Sequence, residues 1–84
     1  MRSGTVTVLG IVTEEYRNNI VVADTNGGRF AVGDHLIVSG VNSCFEATVV
    51  ELQINGADVQ IAEHKQEVGI TFDKLVKRNA FLVR

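Results

Sequence analysis

Apolar and polar residues alternate along most of the chain, and the period is two. Residues 5–13 alternate around Gly10, whose place in mid-run predicts a bend or bulge. A polar loop over 14–19 leads into a second alternating run, 20–24. Asn26-Gly27 supplies the residue types that take positive φ angles in a tight hairpin turn. Folded on that turn, Asp24 faces Arg29, Ala23 faces Phe30 and Val21 faces Val32. The next strand is expected over 36–40, after Val32-Gly33-Asp34, and a loop over 41–43 precedes the longest strand, 44–54. A turn at 63–66, an alternating strand at 67–72, a mixed connection at 73–79 and a short strand at 80–83 complete the chain. No stretch of ten residues offers helical spacing with caps, so at most a single helical turn is expected.

Asn55-Gly56 is the strongest turn signal, and it sets a register that can be checked residue by residue. A two-residue loop pairs Ile54 with Ala57, Gln53 with Asp58, Leu52 with Val59, Glu51 with Gln60 and Val50 with Ile61. Apolar meets apolar and polar meets polar at each step, and a one-residue slip breaks the agreement. This register predicts burial of Val50, Leu52, Val59 and Ile61, together with Val68, Ile70 and Phe72 from the 67–72 run. Phe30, Phe45, Phe72 and Phe81 are expected in the core rather than on a stacking platform.

Composition supports the same class. Valine, isoleucine and threonine make up 26 of 84 residues, and β-branched side chains pack well on pleated surfaces. Proline is absent, which leaves every backbone N–H free to join a ladder. Eight glycines and six asparagines fall mostly between the apolar runs. An 84-residue chain is one domain, read here as spanning residues 1–84. Six or seven short strands in so small a domain must hide their edges, and closure into a barrel does so. The expected fold is therefore all-β: a small closed or nearly closed antiparallel β-barrel of six to seven strands.

The run Arg29-Phe30-Ala31-Val32-Gly33-Asp34-His35-Leu36-Ile37-Val38-Ser39-Gly40 resembles the Val-Gly-Asp turn in the second domain of translation GTPases, the β-barrel of elongation factor Tu and its relatives. Val68-Gly69-Ile70 resembles that family's strand with a central glycine, and 77–82 resembles its closing segment. The likeness extends over residues 4–83. Lys65-Gln66 stands where the family has a turn glycine, and Arg78-Asn79 replaces its last Gly-Asp. A similar barrel closes certain collagenase-type peptidases as a C-terminal accessory domain. With no GTPase domain in the sequence, the resemblance implies a binding accessory and no catalytic centre. Gly33 and Asp34 are read as structural on physical grounds as well. Glycine tolerates backbone angles closed to other residues, and the neighbouring aspartate accepts backbone N–H groups across the turn.

Charge narrows the function. The formal net charge is −2, without the basic excess of most nucleic-acid binders. Its distribution is uneven: residues 1–63 carry a net −5 and residues 64–84 a net +3. Lys74, Lys77 and Arg78 are close enough in sequence to share one surface for an anionic partner. Three such contacts give weak, salt-sensitive RNA binding. The polar loop Tyr16-Arg17-Asn18-Asn19 is the second candidate surface, because tyrosine and arginine anchor protein contacts readily.

Catalytic and metal chemistry find little to stand on. His35 and His64 fall on separate turns without metal-ligand spacing, and Cys44 opens a strand, half-buried, with no local base. Glu14-Glu15 has no cleft to work across, and Gly27-Gly28 has no helix behind it to cradle phosphate. No cofactor is expected. No apolar run approaches the roughly 18 residues that span a bilayer, and no secretory signal is read at the N-terminus, so no membrane association and a cytoplasmic location are expected. The reading is a stand-alone, non-catalytic binding module for a protein or ribonucleoprotein partner, with RNA as a weaker candidate. The alternative is a structural barrel that forms a homodimer, since pairing two small cores hides more apolar surface.

Overall fold

The computed structural model describes residues 7–16, 19–26, 28–63 and 65–84. Nine strands run through them: β1 (Val8–Glu15), β2 (Ile20–Thr25), β3 (Phe30–Ala31), β4 (His35–Ser39), β5 (Cys44–Ile54), β6 (Ala57–Val59), β7 (Ile61–Ala62), β8 (Glu67–Phe72) and β9 (Phe81–Val83). No helix occurs among the described residues.

The main sheet has the order β4-β9-β1-β2-β8-β5-β6, and a further pairing of β4 with β5 closes it on itself. Six antiparallel strands thus close into a barrel, and β6 hangs on β5 as one extra strand. Closure removes the free edges that strands this short would otherwise present. The inward row is apolar throughout: Leu9 and Val12, Val21 and Ala23, Leu36 and Val38, Ala47 and Val49, Val68 and Ile70, and Leu82 are all essentially inaccessible. Phe30 and Phe72 fill the core with them.

Three register shifts interrupt the ladders among the described residues, one of them between Val12 and Glu14 where β1 pairs with β2. In β1 the pairing with β9 shifts between Val8 and Gly10, the bulge expected at this glycine. A Cβ at Gly10 would stand 2.6 Å from the Asp24 carbonyl oxygen, so β1 and β2 approach each other only because the side chain is missing. In β5 the pairing with β8 shifts between Val49 and Glu51. The extra residue changes which positions point inward: Ala47 and Val49 before the bulge, Leu52 after it.

The β5 bulge corrects part of the expected core. Ile54, Gln53 and Leu52 do pair with Ala57, Asp58 and Val59, and Asn55 and Gly56 both take positive φ, 54° and 80°, in the turn between them. Beyond Val59 the hairpin ends. Val50 is turned outward by the bulge and is 47% exposed, and Ile61 leaves for a separate two-stranded sheet with β3 and is 38% exposed. Leu52, Val68, Ile70 and Phe72 are buried as expected, and Val59 is half-buried against the core.

The expected β2–β3 hairpin does not form. Both edges of β2 are occupied, by β1 and β8, so Ala23 faces Val12 and Val68 rather than Phe30. Phe30 pairs with Ala62 of β7 instead. Asn26 redirects the chain by donating its backbone N–H to the Leu9 carbonyl and its side-chain amide to the Val8 carbonyl. Thr25 ties the end of β2 to the 65–66 turn, its hydroxyl donating to the Gln66 carbonyl and accepting the Gln66 N–H. Gly27 itself lies outside the described residues, as do Thr5 and His64.

Phe81 is a further correction. It begins β9 with its side chain outward, 46% exposed, and Leu82 takes the inward place. Phe45 is half-buried and packs on the core edge.

Candidate functional site

One end of the barrel gathers the two surfaces that the sequence presents separately. β1 stops at Glu15, β2 starts at Ile20 and β8 stops at Phe72 on this end. The link between β1 and β2 is closed by a hydrogen bond from the Tyr16 N–H to the Ile20 carbonyl, 2.7 Å, with Asn19 in the left-handed region at φ 62°. The Phe72 N–H then donates to the Asn19 carbonyl, so the β8 exit and the β1–β2 link are in direct contact.

From there residues 73–80 cross the end of the barrel and are held at five points. Asp73 and Thr48 exchange two bonds: the Thr48 N–H to Asp73 Oδ1 at 2.8 Å, and the Asp73 N–H to the Thr48 carbonyl at 3.1 Å. Lys74 Nζ donates to the Glu46 carbonyl at 2.7 Å. Val76 is buried in the core. The Arg78 N–H donates to Glu15 Oε2 at 2.8 Å, and the Asn79 N–H donates to the Val12 carbonyl. Asn79 takes φ 71°, which lets the chain turn back into β9.

The resulting surface mixes an aromatic, an aliphatic and cationic side chains. Tyr16 is 55% exposed, its hydroxyl donating to Glu14 Oε1, and Leu75 is 56% exposed. Lys77 and Arg78 are exposed, and among the described residues their side-chain nitrogens engage no partner. Lys74 is different, since its ammonium is used on the β5 backbone. Arg17 lies outside the described residues. Leu75 is the member that the sequence reading misses. The available signal is Leu75-Val76, two neighbouring aliphatics in a non-alternating connection, of which only one can point inward.

Gly33 and Asp34 lie in the β3–β4 turn, bonded through their backbones to Val49 of β5, the residue that pairs with Phe72. Gly33 has φ 96°, where a side chain is strained. Asp34 Oδ2 accepts the Ala31 N–H at 2.9 Å and Arg84 Nη2 at 2.7 Å, the latter an ion pair. The Ala31 N–H first, and the Arg84 guanidinium with it, hold the carboxyl below its ordinary value, against the opposing effect of burial.

The thiol reading finds no geometry. His35 opens β4 rather than sitting on a turn, and its Nδ1 is 2.9 Å from Thr48 Oγ1, its cross-strand neighbour. Cys44 is exposed, not half-buried, and pairs with Ser39 at the other end of β4. Four residues of strand separate the two positions, about 13 Å. Among the described residues no three His, Cys, Asp or Glu side chains gather as a metal site. No described helix is long and apolar enough to cross a membrane.

Two shallow depressions mark the outer wall. One, about 120 Å³, lies beside the β5–β6 hairpin between Val32, Val50 and Val59, and the other, about 220 Å³, lies over Gly69.

No known protein-family model matches the chain, and no curated protein matches it in sequence. A solved structure does match in shape: the C-terminal domain of a protein assigned as a U32 peptidase in Geobacillus thermoleovorans. The two superpose with a TM-score of 0.80 at 16% identity, over 93% of this chain and 99% of that domain. The barrel fold is shared between them, which agrees with the accessory-barrel side of the resemblance seen in the sequence.

Proposed function

We propose that the chain is a non-catalytic binding module, and that its partner surface is the barrel end formed by the β1–β2 link and residues 73–80. The observation that carries this reading is that Tyr16 and Leu75, both more than half exposed, lie on two links bonded to each other through Phe72 and Asn19 and through Arg78 and Glu15, with Lys77 and Arg78 on the second link. Solvated loops do not ordinarily combine exposed aromatic and aliphatic anchors with a backbone held in place at several points; contact surfaces do. The shared fold with a C-terminal domain of a multi-part protein, and the resemblance to the second domain of translation GTPases, both support an accessory role. A protein or ribonucleoprotein partner fits a surface that is partly apolar and only mildly cationic, and an exposed free thiol at Cys44 suits the reducing cytoplasm.

Co-purification from the source cell, with and without ribonuclease, tests this. Tyr16→Ala and the pair Lys77→Ser with Arg78→Ser should each lose the partner, while Val50→Thr on the side wall should keep it. Equal capture by all of them overturns the assignment of the surface. Loss on ribonuclease treatment identifies a ribonucleoprotein.

A second reading, a homodimer, is favoured by one specific feature. Val8, Ile37 and Phe81 are each at least 40% exposed and share the outer face of the adjacent strands β1, β9 and β4. Phe81→Glu should convert a dimer to a 9 kDa monomer in sedimentation. A wild-type chain that is already monomeric at micromolar concentration removes this reading.

A further inference from the structure

Gly69 stands in the middle of β8, paired with Val22 of β2 on one side and Gln53 of β5 on the other. The barrel does not need a glycine here. A Cβ built on Gly69 meets nothing closer than Gln53, at 3.7 Å, an ordinary contact, and its φ is outside the left-handed region. Glycine inside a strand weakens it, and often marks a place where a ligand or another chain approaches closely. The missing side chain opens the outer-wall groove of about 220 Å³, lined by Val22, Gln53, Asn55, Gly56 and Glu67 as well as Gly69.

The charge at one end of this groove points to its occupant. Glu67 lies directly opposite Asp24 in the β2–β8 register, and both are exposed. Like charges directly opposed across two strands destabilise a sheet. Among the described residues neither carboxylate has a hydrogen-bond or ion-pair partner. A phosphate backbone would be repelled here, whereas a cationic side chain relieves the repulsion.

We infer that the groove receives an arginine or lysine side chain from an extended segment of a protein partner. The aliphatic stem lies across Gly69 against Val22, and the cationic head sits between Glu67 and Asp24. Gln53 uses its amide nitrogen on Asp58 Oδ1 at 3.1 Å, which leaves its oxygen to accept from the passing segment. The groove is separate from the barrel end of the proposed function, because Glu67 starts β8 and Phe72, at the other end of that strand, is the residue that reaches Asn19.

A capped hexapeptide of alternating arginine and threonine, titrated into the full chain and followed by amide chemical shifts, tests the inference. The largest shifts are expected at Val22, Gln53 and Gly69, and a peptide with glutamate in place of arginine should give none. Asp24→Asn combined with Glu67→Gln should weaken binding about tenfold, by removing both charges. Gly69→Val should fill the groove and abolish binding. Gly69→Ala should weaken binding while raising the melting temperature, a pairing that loss of fold cannot produce. Absence of shifts with the arginine peptide, equal shifts with the glutamate peptide, or shifts confined to Tyr16, Lys77 and Arg78 would overturn it. Lys77→Ser with Arg78→Ser should leave this titration unchanged, so the two surfaces succeed or fail separately.

Discussion

The Arg78 backbone N–H donates to a Glu15 carboxylate oxygen at 2.8 Å, across 63 positions of sequence. This bond joins the end of β1 to the connection that leads into β9, as do two backbone bonds between Val12 and residues 79 and 80. It helps to place the two cationic side chains on the same barrel end as Tyr16. Its energy is modest, because Glu15 is exposed and water competes for both groups.

Glu15→Ala should therefore cost only about 0.5–1 kcal/mol in denaturant unfolding. Its larger effect should be local, with faster amide hydrogen exchange over residues 77–79 and weaker partner capture. Glu15→Gln keeps an acceptor oxygen and should retain most of both. Unchanged exchange at Arg78 in Glu15→Ala would show that the contact does not hold the connection.

Asp34 gives a prediction in pH. Its folded-state carboxyl is held below the ordinary value of 3.8, by the Ala31 N–H first and then by Arg84. The folded protein consequently binds fewer protons than the unfolded chain in this range. The stabilising contribution is complete above the unfolded value and is lost as pH falls through the lower folded value. Urea unfolding should show stability declining below about pH 4, and Asp34→Asn should flatten part of that decline. A carboxyl carbon titration of Asp34 with a midpoint at or above 3.8 would contradict the geometry.

The β5 bulge predicts opposite outcomes at two nearby valine and leucine positions. Val50, outward and 47% exposed, should accept threonine within about 0.5 kcal/mol. Leu52, inaccessible in the core, should lose about 2–5 kcal/mol as alanine. Comparable losses at both positions in thermal or urea unfolding would mean that the strand runs in unbroken register.

These two residues also show what a sequence can and cannot tell. The all-β class, the 44–54 and 67–72 strands and the Asn55-Gly56 hairpin are legible because each depends on nearby residues: alternation, β-branching and a dipeptide suited to positive φ. Val50 is misread because the bulge of β5 against β8 turns it outward, and Ile61 because β7 leaves the hairpin to pair with β3, neither of which the local pattern encodes. Asn26-Gly27 carries the same dipeptide as Asn55-Gly56, yet no hairpin joins the strands around it, since both edges of β2 are already taken by β1 and β8. The barrel-end surface is half legible. Tyr16, Lys77 and Arg78 stand out as exposed types, but their meeting depends on long-range bonds to Glu15, Val12 and Asn19, and Leu75 emerges only once Val76 is seen to occupy the core.

The class of partner can be read from salt dependence. Lys74 spends its ammonium on the Glu46 carbonyl, so two cationic heads, Lys77 and Arg78, remain for phosphate. Single-stranded RNA bound through two such contacts gives a log–log salt slope of about −1.4, against about −2.1 if Lys74 lets go of the backbone to make a third. Lys77→Ser with Arg78→Ser should bring the slope close to zero, and Lys74→Ser should change it little. A protein partner behaves differently: Tyr16→Ala or Leu75→Ser should cost most of the affinity, and added salt should matter less, because the anchors are apolar and aromatic. A gel shift that stays blank at low salt across structured and single-stranded RNAs removes RNA as the direct ligand. In that case the cationic pair acts at the rim of a protein interface, where its replacement slows association and leaves dissociation nearly unchanged.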